Sequence, residues 1–328
     1  MRTKSSTIPN HSRIDYIDYA KATCIFLMVV AHSTYYPTVY RYIYSFHMPA
    51  FFIISGVLFR PRTWYHTILA FAIPICLISP INWVIQYFIM GMDMSNTTWK
   101  EIVSGVLHYR FDTRYNFFPG DWFIWTLVTL RLVFGDIKHL YFMRNKKVYI
   151  PIAVLAVIYM VLEPYIIDSQ ADFLNYTVER IIPCLPFFCI GLFLRDINFK
   201  PKDYPAWIII TLGTAALVLP AITGTCDIFY NTYGRSYLLF LINAPISTFL
   251  LFYFANRLPP SAIVRTYSVG TLIIIGLNQP LINVFTILLP KQFWLAIPIL
   301  VMAICYFPII ICEKRFPILL GKWKQGRI

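Results

Sequence analysis

Long apolar stretches follow one another along almost the whole chain, separated by short breaks that contain polar residues, Pro or Gly. A helix needs about 20 apolar residues to cross the hydrocarbon core of a bilayer, and most of these stretches approach that length. We place the predicted membrane spans near residues 15–36, 43–59, 66–90, 121–135, 148–167, 178–194, 205–222, 236–255, 268–289 and 293–312. The pattern therefore predicts an all-α polytopic membrane protein with about ten transmembrane helices.

The composition agrees with that prediction. Of the 328 residues, 58% are hydrophobic and 13% are charged, whereas a soluble domain carries about 25% charged residues. This balance excludes soluble enzymes, secreted disulfide scaffolds, disordered chains and nucleic-acid-binding modules. Because no soluble segment interrupts the spans, we expect residues 1–328 to form a single integral-membrane domain with short cytoplasmic tails at 1–13 and 313–328.

The basic residues predict an orientation. If the N-terminus is cytoplasmic, most of the 28 lysines and arginines fall on the inner side, as the positive-inside rule requires. We therefore expect both termini in the cytoplasm and a multi-pass protein of the plasma membrane. The net charge of +13 fits this rule together with anionic lipid, but it also fits attraction to a phosphorylated cofactor, so charge alone identifies no ligand.

The first span contains ionisable residues that need a partner or a purpose inside a membrane. Lys21 and His32 are eleven residues apart, so they project from one helix face about 16 Å from each other. They could mark two depths of one polar cavity, with Asp18 close enough to Lys21 for an ion pair. The alternative interpretation is a structural Asp–Lys pair and a histidine at the membrane interface.

A second histidine, His47, opens the second predicted span. The loop after the first span is short, so His32 and His47 could lie at similar depth on neighbouring helices. One histidine as general base and a second orienting group form a reasonable catalytic arrangement. A histidine-only metal site would lack an obvious third ligand, so no metal is expected.

The longest predicted outer loop, at about 91–120, combines aromatic and charged residues. Such side chains could bind a sugar, or they could form an interfacial aromatic belt with snorkelling arginines. Both interpretations remain open for this set, which consists of His108, Tyr109, Arg110, Phe111, Asp112, Arg114, Tyr115, Phe117 and Phe118.

Two motifs give the chain a resemblance to a known family. One is a basic residue followed, after ten intervening residues, by a histidine, present as Lys21 and His32. The other is Phe-x-Met-Pro-x-Phe-Phe-x-x-Ser-Gly, present as Phe46 to Gly56. With weaker similarities at 122–124, 187–191 and 270–280, the chain resembles the acyltransferase-3 family of integral-membrane acyltransferases, in the stand-alone form that O-acetylates glycans.

The resemblance implies a fold of ten spans and an O-acyltransferase in a bacterial inner membrane. It implies transfer of acetyl from cytoplasmic acetyl-CoA to a hydroxyl of a cell-surface or lipid-linked glycan. His32 would be the general base and His47 a second catalytic histidine. The implied cofactor-binding residues are Lys21, Arg60 and Arg62, and the implied substrate-binding residues are Asp18, Lys21, Trp122 and Asn278.

Two positions depart from the family pattern. Asn278 stands where many relatives carry a histidine, and an amide cannot shuttle a proton at neutral pH, so binding or packing is expected there. Arg60 and Arg62 are closer together than the family's cytoplasmic arginines.

A second hypothesis is a transporter or flippase, in which His32, Lys21 and Asp18 would form a proton relay. The paired halves typical of many transporters are not visible in the sequence. Besides the glycan acceptor, the expected partners are membrane lipid and no nucleic acid, and a homo-oligomer is compatible with the sequence.

Overall fold

The computed structural model describes residues 15–89, 91, 98–101, 118, 120–166 and 173–322. Its α-helices are α1 (Asp15–Ser33), α2 (Pro37–Tyr44), α3 (His47–Val57), α4 (Trp64–Phe88), α5 (Asp121–Arg131), α6 (Lys146–Ile166), α7 (Phe173–Asp196), α8 (Ala206–Thr223), α9 (Tyr237–Ala255), α10 (Ala262–Val269), α11 (Thr271–Leu288) and α12 (Ala296–Arg315). A π-helix at Leu132–Asp136 follows α5, and 3-10 helices occupy Lys138–Arg144, Lys291–Phe293 and Pro317–Leu320. A two-stranded hairpin is formed by β1 (Cys226–Asp227) and β2 (Thr232–Tyr233).

Among the described residues, five helices are long and apolar enough to cross a membrane, namely α4, α8, α9, α11 and α12. A further candidate is the pair formed by the 3-10 helix Lys138–Arg144 and α6, which is bent by 80°. The prediction of an all-α membrane protein is therefore confirmed. The count of ten spans and the orientation of the termini stay predictions.

Two predicted spans are each divided into two helices. The span predicted at 43–59 is broken between α2 and α3, because Phe46 has φ −150° and ψ −25°, outside the helical region. The span predicted at 268–289 is broken at Gly270, between α10 and α11. A Cβ atom on Gly270 would overlap the side chain of Ile309 in α12. The hydropathy pattern did not reveal these breaks, although polar residues adjoin both of them, with Ser45 and His47 beside Phe46 and Thr271 beside Gly270.

The packing of α3 against α7 is unusually close. Gly56 in α3 faces Gly191 in α7, and a Cβ atom on Gly56 would overlap the carbonyl oxygen of Phe188. Small residues let membrane helices approach until their backbones touch. This contact fixes α3, and with it His47 at its first turn.

The β1–β2 hairpin joins α8 to α9 and is the one departure from all-α structure in the described residues. Its register pairs Cys226 with Tyr233 and Asp227 with Thr232. Arg235 N donates to Thr223 O at 2.8 Å, which ties the hairpin to the end of α8. Cys226 is a buried strand residue, and all seven cysteines are free thiols.

Candidate active site

A cavity of about 360 Å³ lies where α1, α2, α3, α5, α11 and the hairpin meet. Four of the residues that the sequence singled out line it: His32, His47, Trp122 and Asn278. They come from four different helices that are far apart in the chain. We call this cavity with its lining residues the His32 end of the bundle.

The two histidines reach the cavity from neighbouring helices. His32 lies in the last turn of α1 and is exposed, whereas His47 begins α3 and is 1% exposed. The Nδ1 atom of His47 lies 2.9 Å from the carbonyl oxygen of Ile43. Because a carbonyl only accepts, Nδ1 carries the proton, and Nε2 is the unprotonated nitrogen of the neutral ring.

Tyr44 of α2 lies between the two imidazoles. Its hydroxyl oxygen is 3.5 Å from His32 Nε2, and its ring meets the His47 ring edge-on with centroids 4.8 Å apart. On its other face it stacks on Tyr40 at a centroid distance of 3.8 Å. The four rings therefore form one continuous aromatic cluster beside the cavity.

Asp227 of the hairpin contacts this cluster through a hydroxyl group. Tyr40 donates to Asp227 Oδ2 at 2.5 Å, and the backbone N–H of Phe229 donates to Asp227 Oδ1 at 2.8 Å. Burial raises the pKa of the Asp227 carboxyl above its usual range, while the Tyr40 hydrogen bond, backbone N–H groups and the Arg180 charge oppose that shift. Burial, and then the proximity of Tyr44 and Asp227, also raises the pKa of Tyr40, so Tyr40 keeps its proton and acts as a donor.

Aromatic rings from α5 and the hairpin form another wall of the cavity. Trp122 lies 5.9 Å from Phe229 between ring centroids. The buried guanidinium of Arg180 lies over the Phe229 ring at 4.2 Å, and its Nη2 donates to the carbonyl oxygen of Phe229 at 2.8 Å. Arg180 of α7 thus holds the hairpin beside Trp122, while Tyr230 lines the cavity and is 56% exposed.

Asn278 of α11 completes the set of polar lining residues that the sequence predicted. Its amide nitrogen donates to Ile274 O at 3.0 Å and to Ile275 O at 2.6 Å, within its own helix. The amide oxygen is therefore the atom with which Asn278 can accept a hydrogen bond from a ligand. The sequence led us to expect binding or packing for an amide at this position, and substrate binding by Asn278 stays a prediction.

Asp18 and Lys21 lie away from this cavity, near the start of α1. Lys21 Nζ donates to Ser268 O at 2.7 Å, and Ser268 Oγ donates to Asp18 Oδ1 at 2.6 Å. Lys21 is about 16 Å from His32 along the axis of α1. The sequence suggested a local Asp–Lys pair, and the structure adds Ser268 of α10 as a partner of both residues.

Arg60 and Arg62 are exposed beyond the end of α3, whose last residue, Val57, is about 15 Å along the helix axis from His47. Two arginines that the sequence did not single out adjoin them. Arg131 donates to Arg60 O at 2.9 Å, and Arg195 donates to Phe59 O at 3.2 Å. We call this basic region, together with Asp18, Lys21 and Ser268, the Lys21 end of the bundle.

No group of three or more His, Cys, Asp or Glu side chains that could hold a metal ion occurs in the part of the chain that the structure describes. The aromatic and charged loop residues at 108–117 lie outside that part. Phe118, the last of that set, is buried and lies against Gly276 of α11, so its side chain belongs to the protein interior.

The sequence analysis missed Tyr40, Tyr44 and Asp227. A signal for the tyrosines was present, since five tyrosines occur between Tyr35 and Tyr44 in a segment predicted to leave the first span. Asp227 is an acidic residue in a short connection between two apolar spans. Nothing in the sequence indicated that this connection folds back over the cavity.

Comparison with known families decides what kind of protein carries this site. The model of the acyltransferase-3 family, described as an acyltransferase domain, matches residues 14–313. The chain belongs to this family. It is therefore a membrane acyltransferase, and the resemblance inferred from the two sequence motifs is confirmed. Searches among curated proteins and among solved structures found no match.

Proposed function

We propose that this acyltransferase moves an acetyl group from cytoplasmic acetyl-CoA to a hydroxyl group of a cell-surface or lipid-linked glycan, in a bacterial inner membrane. The observation that carries the proposal is the shared cavity of His32 and His47, with basic residues gathered at the opposite end of the bundle. A site for proton transfer and a site for an anionic donor are thereby separated along the same helices.

The proposed topology has ten spans and cytoplasmic termini. In that orientation α1 enters from the cytoplasm at Asp15 and leaves near Ser33, so Lys21 faces the donor side and His32 the acceptor side. The positive-inside distribution supports this assignment. The extended pantetheine arm of the cofactor is long enough to bridge about 16 Å between the two residues.

The proposed chemistry is direct transfer. His32 removes the proton from the acceptor hydroxyl group while the hydroxyl oxygen attacks the thioester carbonyl carbon. The tetrahedral intermediate then collapses, the carbon–sulfur bond breaks, and the thiolate takes the proton from the imidazolium. His47, whose Nδ1–H is held by Ile43 O, presents Nε2 as a hydrogen-bond acceptor that orients the substrate.

The donor would be held at the Lys21 end. Arg60 and Arg62 offer exposed guanidinium groups, which suit phosphate groups because they donate in a planar fork. Arg131 adds to the local positive potential, whereas the charge of Arg195 is paired with Asp196 at 2.7 Å. Lys21, placed by Ser268 O, would line the path between the phosphates and the reacting thioester, with Asp18 holding the same serine.

A carbohydrate acceptor is supported by the mixture of aromatic and polar groups at the His32 end. Trp122 and Tyr230 present apolar ring surface to the cavity, and the amide oxygen of Asn278 can accept from a hydroxyl. Ring surface beside a few oriented polar groups is the composition that a small polar ligand requires.

The test is a donor assay on the purified full chain in nanodiscs. Acetyl-CoA binding and turnover would be measured for wild type, His32→Ala and Lys21→Ala, with His139→Ala as matched control because His139 is exposed outside the cavity. We expect His32→Ala to bind acetyl-CoA but lose turnover, and Lys21→Ala to lose binding. A folded, monodisperse wild type that neither binds nor cleaves acetyl-CoA would refute the donor assignment and favour transport.

A further inference from the structure

A continuous line of four polar side chains runs along the cavity wall. Tyr40 donates to Asp227 Oδ2, the rings of Tyr40 and Tyr44 stack with centroids 3.8 Å apart, so that each side chain influences the other, and Tyr44 Oη lies 3.5 Å from His32 Nε2. The last distance is at the outer limit of a hydrogen bond, and catalytic hydrogen bonds often shorten when substrate binds. The line joins three elements: the hairpin, α2 and α1.

We propose that Asp227 is a positioning residue for His32 and acts on it through the hydroxyl groups of Tyr40 and Tyr44. This inference rests on the proposed function, because it concerns the histidine that serves there as general base. It assigns a role to the hairpin, which contributes Asp227 from a connection between α8 and α9.

The donors and acceptors along the line have a defined order. A carboxylate only accepts, so Tyr40 donates to Asp227. The oxygen of Tyr40 then accepts from Tyr44, and the oxygen of Tyr44 accepts from the Nε2–H of His32. In this order the neutral His32 ring carries its proton on Nε2, so Nδ1 is the nitrogen that acts as base.

The reaction step balances without a proton reaching Asp227. The O–H bond of the acceptor breaks as the Nδ1–H bond forms, and the imidazolium keeps its Nε2–H bond to Tyr44. When the thiolate leaves, the Nδ1–H bond breaks and the proton passes to sulfur. The carboxylate at the far end of the line stabilises the positive ring during this interval, as ordered hydroxyl groups transmit its field.

Other titratable groups also face this line. From α3, the His47 ring adjoins Tyr44, and Tyr230 of the hairpin lines the same cavity. Arg180 of α7 exerts its charge on Asp227. Replacing Asp227 by Asn removes a negative charge and leaves the Arg180 charge less compensated. Both effects disfavour a protonated His32 ring.

Asp227→Asn separates this role from a structural one. The amide oxygen of Asn can still accept from the backbone N–H of Phe229, which keeps the turn, and its size matches that of the carboxyl group. Only the negative charge is lost. A residue that merely shapes the hairpin would tolerate this change.

The experiment reads the protonation of His32 without relying on turnover. Diethylpyrocarbonate modifies neutral imidazole, and peptide mass spectrometry of the full chain in nanodiscs would follow His32 modification against pH. The variants are Asp227→Asn and Tyr44→Phe. The matched controls are Tyr42→Phe, which loses a hydrogen bond from α2 to Leu217 O outside the cavity, and Asp203→Asn, whose carboxylate is exposed.

We expect the midpoint of His32 modification to move to lower pH by about half a unit or more in both variants, as loss of a charge acting at this range predicts. Acetyl transfer by Asp227→Asn should fall about tenfold, with the acid limb of its pH profile moving in the same direction. The controls should match wild type, and Asp227→Glu should recover part of the loss.

An unchanged His32 modification profile in Asp227→Asn would overturn the inference, even if the wild type transfers acetyl. If Asp227→Asn does not fold, the His32 modification profile of Tyr44→Phe tests the inference instead, because this variant interrupts the line of hydroxyl groups without changing the hairpin. A wild type without acetyl transfer refutes the proposed function separately, while the modification profile still decides whether Asp227 acts on His32.

Discussion

The His32 end and the Lys21 end of the bundle are built from different chemistry. At the His32 end, two imidazoles lie among tyrosines and aromatic rings, and groups that can gain or lose a proton meet around a cavity. At the Lys21 end, Lys21, Arg131 and Arg195 donate to backbone carbonyl oxygens. Arg60 and Arg62 are exposed there, and Asp18 accepts from the hydroxyl group of Ser268. This difference is the one that the proposed function requires, with proton transfer at the His32 end and binding of an anionic donor at the Lys21 end.

Among the changes considered below, removal of the His47 imidazole should lower activity most. We expect His47→Ala to lower kcat about 100-fold, since misplacement of the reacting groups by about 1 Å can cost about 10²-fold. The KM for acetyl-CoA should stay near its wild-type value. Steady-state kinetics would check this, with His66→Ala in α4 as control. A change confined to KM would contradict a role for His47 in the acyl-transfer step.

The complementary change is Lys21→Met, which keeps the length of the side chain and removes its charge. Loss of the hydrogen bond to Ser268 O and of the ammonium group should raise the KM for acetyl-CoA about tenfold, as a charged hydrogen bond contributes 1.5–3 kcal/mol. The kcat should be retained. Lys200→Met, on an exposed lysine, is the control, and a selective fall in kcat would contradict the division between the two ends.

A smaller effect is expected at the exposed arginines. Arg62→Gln should raise the KM for acetyl-CoA a few-fold at low salt, and the difference should shrink at high salt because exposed charges are screened. Titration with acetyl-CoA at two ionic strengths would measure it. Arg235→Gln, at an arginine next to the hairpin, should have no such effect, and an equal effect there would argue against a local donor site.

The smallest expected effect concerns stability. Burial raises the pKa of Asp227 in the folded chain, so the folded state binds more protons there than the unfolded state. Because the folded state binds more protons, the free energy of unfolding decreases as pH rises through the range above the usual carboxyl pKa. The Tm of wild type should therefore fall relative to the Tm of Asp227→Asn as pH rises through that range. A difference in Tm that is constant with pH would contradict the burial effect.

Much of the site was visible in the sequence, because the two motifs that carried the family resemblance also contain its central residues. Helical periodicity placed Lys21 and His32 on one face of α1 at different depths, and the short loop placed His47 close to His32. These inferences depend on local geometry along one or two helices, which sequence spacing specifies well.

Contacts between distant segments could not be predicted. Asp227 meets Tyr40 across 187 residues, and Ser268 meets Asp18 across 250. Such pairs depend on how helices pack. The break at Gly270 depends on packing in the same way, because it lies where Ile309 of α12 approaches the backbone closely.

The helix α7 contacts both ends of the molecule. Arg180 donates to the carbonyl oxygen of Phe229 in the hairpin. Gly191 lies against α3, and Arg195 donates to Phe59 O beside the exposed arginines. Fifteen residues of one helix separate the two arginines, a span of about 22 Å. In the proposed function, α7 would therefore fix the distance between the donor site and the acceptor site, and with it the length of acyl donor that can reach His32.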